Sequence, residues 1–115
     1  LARATEHRKV AFIAAADLSH VGRLYGDDRP PTPADLAALE KADRASLDKV
    51  ASLDAAGFFD HVGPDADTRR ICGLTPVYTM LRAAGGSRAR VLRYAQWFGE
   101  AEGSAVTFAA AVVER

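Results

Sequence analysis

The chain has 115 residues, of which 49% are hydrophobic and 26% charged, a balance typical of a globular protein with one modest core. Fifteen basic and fifteen acidic side chains cancel, which argues against a nucleic-acid-binding protein, because such proteins normally present a positive face. A single cysteine excludes an internal disulfide and fits a reducing, cytoplasmic compartment, and no apolar run reaches the ~20 residues that would predict a membrane span.

The first predicted element is the apolar run from Lys9 to Ala16. Seven apolar residues follow the lysine without a break, which is typical of a strand covered on both faces, as in parallel sheets. The chain begins with Leu1 rather than Met, and residues 1–10 read as the last turns of a helix followed by this strand. We therefore expect the sequence to be part of a longer protein.

The second element is the strongest helix signal in the chain. After the proline-rich loop GDDRPPTP, Thr32 can cap a helix and Pro33 suits its first position. An apolar stripe then continues on one face, made of Leu36, Leu39, Leu47, Val50 and Leu53. The pattern predicts a helix from about residue 33 to 53.

Two further helices are predicted before the chain returns to strands. Asp54 favours a short helix over AAGFFDHV, and the polar stretch GPDADTRR after it is typical of a loop. Thr75 can cap the next helix, with Pro76 at its first position and Gly85-Gly86 at its end.

The last two elements are strands. RVLRYAQWF and SAVTFAAAVV are rich in aromatic and β-branched residues, and the short loop GEAEG between them favours antiparallel pairing. The order of one strand, then helices, then two strands predicts an α/β fold with a mixed β-sheet and packed helices. We expect residues 1–115 to form a single domain or a fragment of one.

Asp17 and His20 follow the predicted first strand. In open α/β sheets, ligands bind beyond the carboxyl ends of the strands, where this pair lies. A carboxylate near a histidine orients the ring and favours its charged form, as a general acid/base or a metal-bound imidazole requires. The alternative is that the pair belongs to an ordinary turn.

Cys72 precedes the helix that begins near Thr75. Backbone amides at a helix start can stabilise a thiolate, and Gly73 would allow the backbone to approach the ligand of the sulfur closely. A buried structural cysteine is the alternative. A cysteine–histidine hydrolase is a further hypothesis, although the sequence shows no oxyanion arrangement.

The motifs taken together resemble a known family. DLSH after the alanine-rich run, LDKVASLDAAGFF, ICGLTPVYTML, RYAQ and SAVTFAAAVV are similar to the Memo family, also called AmmeMemoRadiSam system protein B. The resemblance covers about residues 9–113 and corresponds to the carboxyl-terminal part of the family's fold. Memo proteins in turn resemble class III extradiol dioxygenases, which use non-haem iron(II).

The resemblance implies a composite metal pocket. Cys72 would be a metal ligand, His20 would serve as acid/base, and Asp17 would support it in the same pocket. Two histidine ligands would come from the missing amino-terminal part of the same protein, and neither His7 nor His61 matches them. A thiolate favours copper or zinc over iron(II). The resemblance itself implies copper or iron binding with redox activity, and zinc is possible.

Two departures from the family pattern lie near this pocket. Thr75 stands where many relatives have glycine, and QWFGEAEG replaces a Ser-Gly-Asp type of segment before the last strand. Because this region borders the pocket, it stays open whether the ligand of this protein is the same as that of its relatives.

Two function classes stay open at this point. The first is a non-haem, metal-dependent oxidoreductase or dioxygenase-like protein acting on a small molecule. The second is a non-catalytic module that binds a protein or phosphopeptide in the same pocket, because Memo relatives are linked to phosphorylated peptides. An exposed apolar edge left by a truncated sheet would also favour self-association.

Overall fold

The described part of the chain consists of one three-stranded β-sheet and four α-helices. In a computed structural model, residues 11–114 are described, except for the side chains of residues 65–67. The sheet has the order β1-β3-β2, with both pairs antiparallel, and consists of β1 (His20–Gly22), β2 (Arg88–Gly99) and β3 (Ser104–Glu114). The predicted α/β class is confirmed. A parallel pair, which a mixed sheet would contain, is not found among these three strands.

Four α-helices connect β1 to β2. They are α1 (Pro33–Ala51), α2 (Ala55–Val62), α3 (Ala66–Arg69) and α4 (Leu74–Ala84), with short 3-10 turns at Arg23–Tyr25 and Gly63–Asp65. Within residues 11–114, none of these helices is long and apolar enough to cross a membrane.

Local capping chemistry explains where the first two helices begin. The Thr32 hydroxyl accepts from the backbone N–H of Asp35 at 3.2 Å, and the Asp35 carboxylate accepts from the backbone N–H of Thr32 at 2.7 Å. This reciprocal pair satisfies two amide groups that the helix itself leaves unbonded. At α2 the Asp54 carboxylate accepts from the backbone N–H of Gly57 at 2.8 Å. Both predicted caps are confirmed.

The predicted hairpin is confirmed as well. β2 and β3 pair from Gly99↔Ser104 to Arg88↔Glu114, with one irregularity between Val91 and Arg93. β3 lies in the centre of the sheet because its first residues also pair with β1, where His20 lies opposite Val106.

The predicted first strand is wrong over its described residues. Residues 11–16 carry no strand, and Ile13 is 88% exposed rather than covered on both faces. Pairing starts where the backbone N–H of Leu18 donates to the Thr107 carbonyl at 2.8 Å, and β1 itself begins at His20. Hydrophobicity indicates where a strand would be buried, but it cannot show that a neighbouring strand is present to bond to it. Lys9 and Val10 lie outside the described residues.

Two predictions after α2 also need correction. The stretch GPDADTRR is not a plain polar loop, because it contains a 3-10 turn and α3. The last helix begins at Leu74 with Gly73 as its cap, so Thr75 and Pro76 lie inside its first turn. The Gly85 stop is confirmed, with Gly85 in the left-handed conformation that favours glycine (φ 57°).

An apolar cluster holds the helices together. It is formed by the buried side chains of Val50, Phe58, Val62 and Ile71, and the partly buried Leu74, Val77 and Leu81 pack against it. Phe58 and Val62 are completely buried, so α2 contributes the centre of this cluster.

A buried polar network joins the helices to the sheet. The Asp43 carboxylate on α1 is completely buried. Four side-chain donors reach it at 2.6–3.0 Å, one each from Ser19, Arg69, Tyr94 and Thr107. Burial raises the pKa of Tyr94 to about 12, so its hydroxyl keeps the proton that it donates. Because charged groups are costly to bury, the network persists only when every partner is present.

Replacing Asp43 with alanine should therefore strongly destabilise the protein. Asp43→Ala leaves the buried Arg69 guanidinium without its carboxylate, and we expect the free energy of unfolding to fall by about 3–5 kcal/mol. Glu40→Ala is the matched control, because Glu40 lies one turn earlier on α1 and pairs with Arg44 in an exposed position. Its cost should stay below about 0.5 kcal/mol. Urea denaturation of the intact protein measures both, and equal losses would contradict the assignment.

Candidate functional site

Cys72 and Asp17 are brought together through the main chain. The backbone N–H of Asp17 donates to the Cys72 sulfur at 3.3 Å, and the thiol lies 3.6 Å from the Asp17 carbonyl oxygen, to which it can donate. A Cβ at Gly73 would lie 2.7 Å from the same carbonyl oxygen, so the glycine is needed for this close approach. Two segments that are 55 residues apart in sequence thus meet at the sulfur.

His20 lies on the other side of Asp17. Its Nε2 is 3.8 Å from the Asp17 carboxylate, which is longer than a hydrogen bond but close enough for an ion pair when the ring is protonated. Its Nδ1 is 2.9 Å from the carbonyl oxygen of Arg70, and the ring packs edge-on against Tyr25 with centroids 5.1 Å apart. The ring is therefore held at one nitrogen and on one face.

The structure thus brings the three predicted residues to one place, with Asp17 between the other two. The His20 side chain is 15% exposed, whereas the Asp17 side chain is 51% exposed and Cys72 is also exposed. The roles of these residues as acid/base and metal ligand stay predictions.

The donor types match part of a metal site. A thiol, an imidazole and a carboxylate are all common transition-metal ligands. Within residues 11–114, however, no group of three or more histidine, cysteine, aspartate or glutamate side chains is close enough to hold a metal ion. The described residues therefore fit one side of a site and would need further donors to complete it.

Sequence reasoning missed two residues beside His20. Arg70 donates from its guanidinium to the His20 carbonyl oxygen at 3.2 Å and to the Asp27 carboxylate at 2.7 Å. Asp27 in turn accepts from the backbone N–H of Gly22 at 2.6 Å. No sequence pattern indicated this clamp of Arg70 and Asp27, because Arg70 lies in a polar stretch and Asp27 in a loop. The neighbouring Arg69 is buried.

The clamp shifts the acidity of Asp27. The hydrogen bond from the Gly22 backbone and then the Arg70 guanidinium hold the pKa of the Asp27 carboxyl below its usual range. Both contacts favour the charged form, so the clamp is intact at neutral pH.

The chain matches one family model, which is described as Memo-like protein, over residues 1–112. The match includes Asp17, His20 and Cys72. No curated protein matches the chain in sequence.

The lowered pKa of Asp27 predicts how stability depends on pH. A carboxyl group with a depressed pKa in the folded state contributes stability that is fully present above about pH 4, its ordinary unfolded value, and is lost as the pH falls below that towards the folded value. Asp27→Asn should therefore lower the free energy of unfolding by about 0.5–1 kcal/mol at pH 7, and this difference should shrink below pH 4.

Denaturation of the intact protein from pH 7 to pH 2.5 measures this difference. Asp28→Asn removes the same charge one residue away and serves as the control, which should not reproduce the effect. A difference between wild type and Asp27→Asn that stays constant over the whole range would contradict the clamp.

Proposed function

The chain belongs to the Memo-like protein family, and from this premise we propose that it contributes Cys72, His20 and Asp17 to a composite metal-binding pocket of a redox-active, dioxygenase-like metalloprotein. The observation that carries the proposal is that these residues, which are distant in sequence, meet around Asp17. A turn or a structural cysteine would not require a carboxylate, an imidazole and an accessible thiol at the same point.

Cys72 is proposed as the metal ligand of this chain. Its sulfur is exposed, and the hydrogen bond that it accepts from the Asp17 backbone N–H fixes its position beside Asp17. A thiolate is a soft ligand, so copper fits it best, with zinc or iron(II) as competitors. When bound, such an ion supplies Lewis-acid or redox chemistry, and the residues of the chain orient it.

His20 and Asp17 are proposed to act beside the metal. The imidazole is fixed by Arg70 and Tyr25, whereas its second nitrogen faces the Asp17 carboxylate. An imidazole beside a carboxylate can take up a proton from a bound ligand and return it, which is the acid/base role proposed for this pair.

The rest of the pocket is proposed to come from another part of the same protein. The described residues provide too few donors for a metal, and Asp17 is half exposed. An apolar groove between the segment before β1 and α4 supports a covering segment, because it is lined in part by Phe12, Ile13 and Met80, and Ile13 is largely exposed. If no segment covered it, this exposed apolar surface would favour self-association of the chain.

The metal proposal predicts distinct effects of two substitutions in the intact protein. Cys72→Ser removes the soft ligand and should weaken Cu(I) affinity by more than about 100-fold, whereas His20→Ala removes a supporting group and should weaken it by about 10–100-fold. Competition titrations against a chromophoric Cu(I) chelator measure both, with Fe(II) and Zn(II) titrated in parallel.

His61→Gln is the control for loss of a histidine, because His61 lies on α2 and not at the site. Circular dichroism verifies that every variant is folded. If neither Cys72→Ser nor His20→Ala changes the affinity for any of the three metals, the metal proposal is wrong. Binding of a peptide or phosphopeptide that is weakened by the same two substitutions would then favour the non-catalytic module.

A further inference from the structure

We propose that Arg70 is a positioning residue that holds His20 as its Nδ1–H tautomer, so that the neutral ring presents Nε2 to the pocket as a hydrogen-bond acceptor. This inference rests on the proposed function, because it concerns the histidine assigned there as acid/base. It assigns to Arg70 a role that the sequence did not indicate.

The first step is the contact of Nδ1. It lies 2.9 Å from the carbonyl oxygen of Arg70, and a carbonyl oxygen can only accept. Nδ1 must therefore carry the proton, and in the neutral ring Nε2 carries a lone pair. Histidine in water prefers the opposite tautomer, with the proton on Nε2, so the protein has to impose this one.

The second step is the conformation that places the carbonyl. Arg70 has a φ of 52°, in the left-handed region that side chains other than glycine seldom adopt. Such a conformation is costly and persists where the surrounding contacts over-determine it. Here the contacts come from its own side chain, which donates to the His20 carbonyl oxygen and to Asp27.

The third step is that Arg70 makes two hydrogen bonds with His20. Its carbonyl oxygen accepts from the ring, and its guanidinium donates to the backbone of the same residue. Asp27 completes the frame, because it binds both Arg70 and the backbone N–H of Gly22, the last residue of β1. Rotation of the ring would break its hydrogen bond to the Arg70 carbonyl, and this frame holds that carbonyl in place.

The last step is what Nε2 can do. The Asp17 carboxylate lies 3.8 Å from Nε2 and offers only acceptor oxygens, so it cannot donate to this lone pair. Within residues 11–114 no group donates to Nε2, so the lone pair can accept from a ligand that presents an O–H or N–H group, the chemical class we assign to this position. A ligand that offers only acceptor atoms would leave Nε2 without a partner.

The tautomer can be measured directly in the intact, metal-free protein. ¹⁵N-histidine labelling and long-range ¹H–¹⁵N correlation spectra at about pH 8.5, where histidine rings are ordinarily neutral, distinguish the two tautomers. His20→Gln identifies the signal. The expected result is a protonated Nδ1 and an unprotonated Nε2, whereas a protonated Nε2 would overturn the proposal.

Variants of Arg70 separate positioning from general stability. Arg70→Gly tolerates the left-handed backbone but removes the guanidinium that holds the Arg70 carbonyl against the ring. Loss of the Nδ1 hydrogen bond to the freed carbonyl should lower the ratio of Nδ1–H to Nε2–H by up to roughly tenfold, the factor that one net hydrogen bond is worth. Arg70→Lys keeps the charge near Asp27 and should restore part of the ratio. Arg90→Ala is the control, because Arg90 pairs with Glu114 on the hairpin and does not contact His20.

The outcomes distinguish this proposal from the metal proposal. If Arg70→Gly lowers the thermal midpoint but leaves the tautomer ratio unchanged, Arg70 is structural and the inference is wrong. The spectra require no metal, so they stand even if Cys72→Ser has no effect on metal affinity. Conversely, loss of the expected tautomer would leave the assignment of Cys72 as a ligand intact.

Discussion

The buried carboxylate of Asp43 is the interaction on which the rest of the structure depends. It is completely removed from water, and donors from four separate segments of the chain converge on it, which offsets the cost of burying its charge. Two of these donors, Ser19 and Arg69, are the immediate predecessors of His20 and Arg70. A single charge in the core therefore fixes the positions of two segments. The next residues, His20 and Arg70, hydrogen-bond to each other at the candidate site.

A buried charge does not by itself make a protein more stable than an apolar core would. We infer that Asp43 instead makes the packing specific, because its hydrogen bonds are directional. An apolar side chain at position 43 could pack against many neighbours, whereas a carboxylate with two fully used oxygens accepts one arrangement of donors. The hydroxyl of Thr107 shows the effect, because it donates to Asp43 and also accepts from the backbone N–H of Ser19. The segment that leads into β1 is thereby registered against β3 at Ser19, the residue before His20.

Local chemistry made much of the fold predictable. The Thr32 and Asp54 caps, the Gly85 stop and the hairpin depend on residues within a few positions of one another, so their signals can be read along the chain. Asp43 could not be found in this way, because an aspartate on a helix is usually solvated and its partners lie 24 to 64 residues away. The contacts of Arg70 with His20 and Asp27 could not be predicted for the same reason, because these partners lie 50 and 43 residues away. The sequence identified the three site residues by type and order, but the contacts that orient them are non-local.

Asp17 links the two halves of the candidate site through different atoms. Its backbone N–H bonds the sulfur of Cys72, and its carboxylate faces the imidazole of His20. The first contact depends only on the path of the main chain, which Gly73 and the start of α4 fix by close approach. The second depends only on the side chain, which remains half exposed. The thiol is thus positioned by the fold itself, whereas the charge beside the imidazole is free to respond to whatever completes the pocket. This division suits a site whose ligands come from two parts of a protein, because one partner can be rigid before the other arrives.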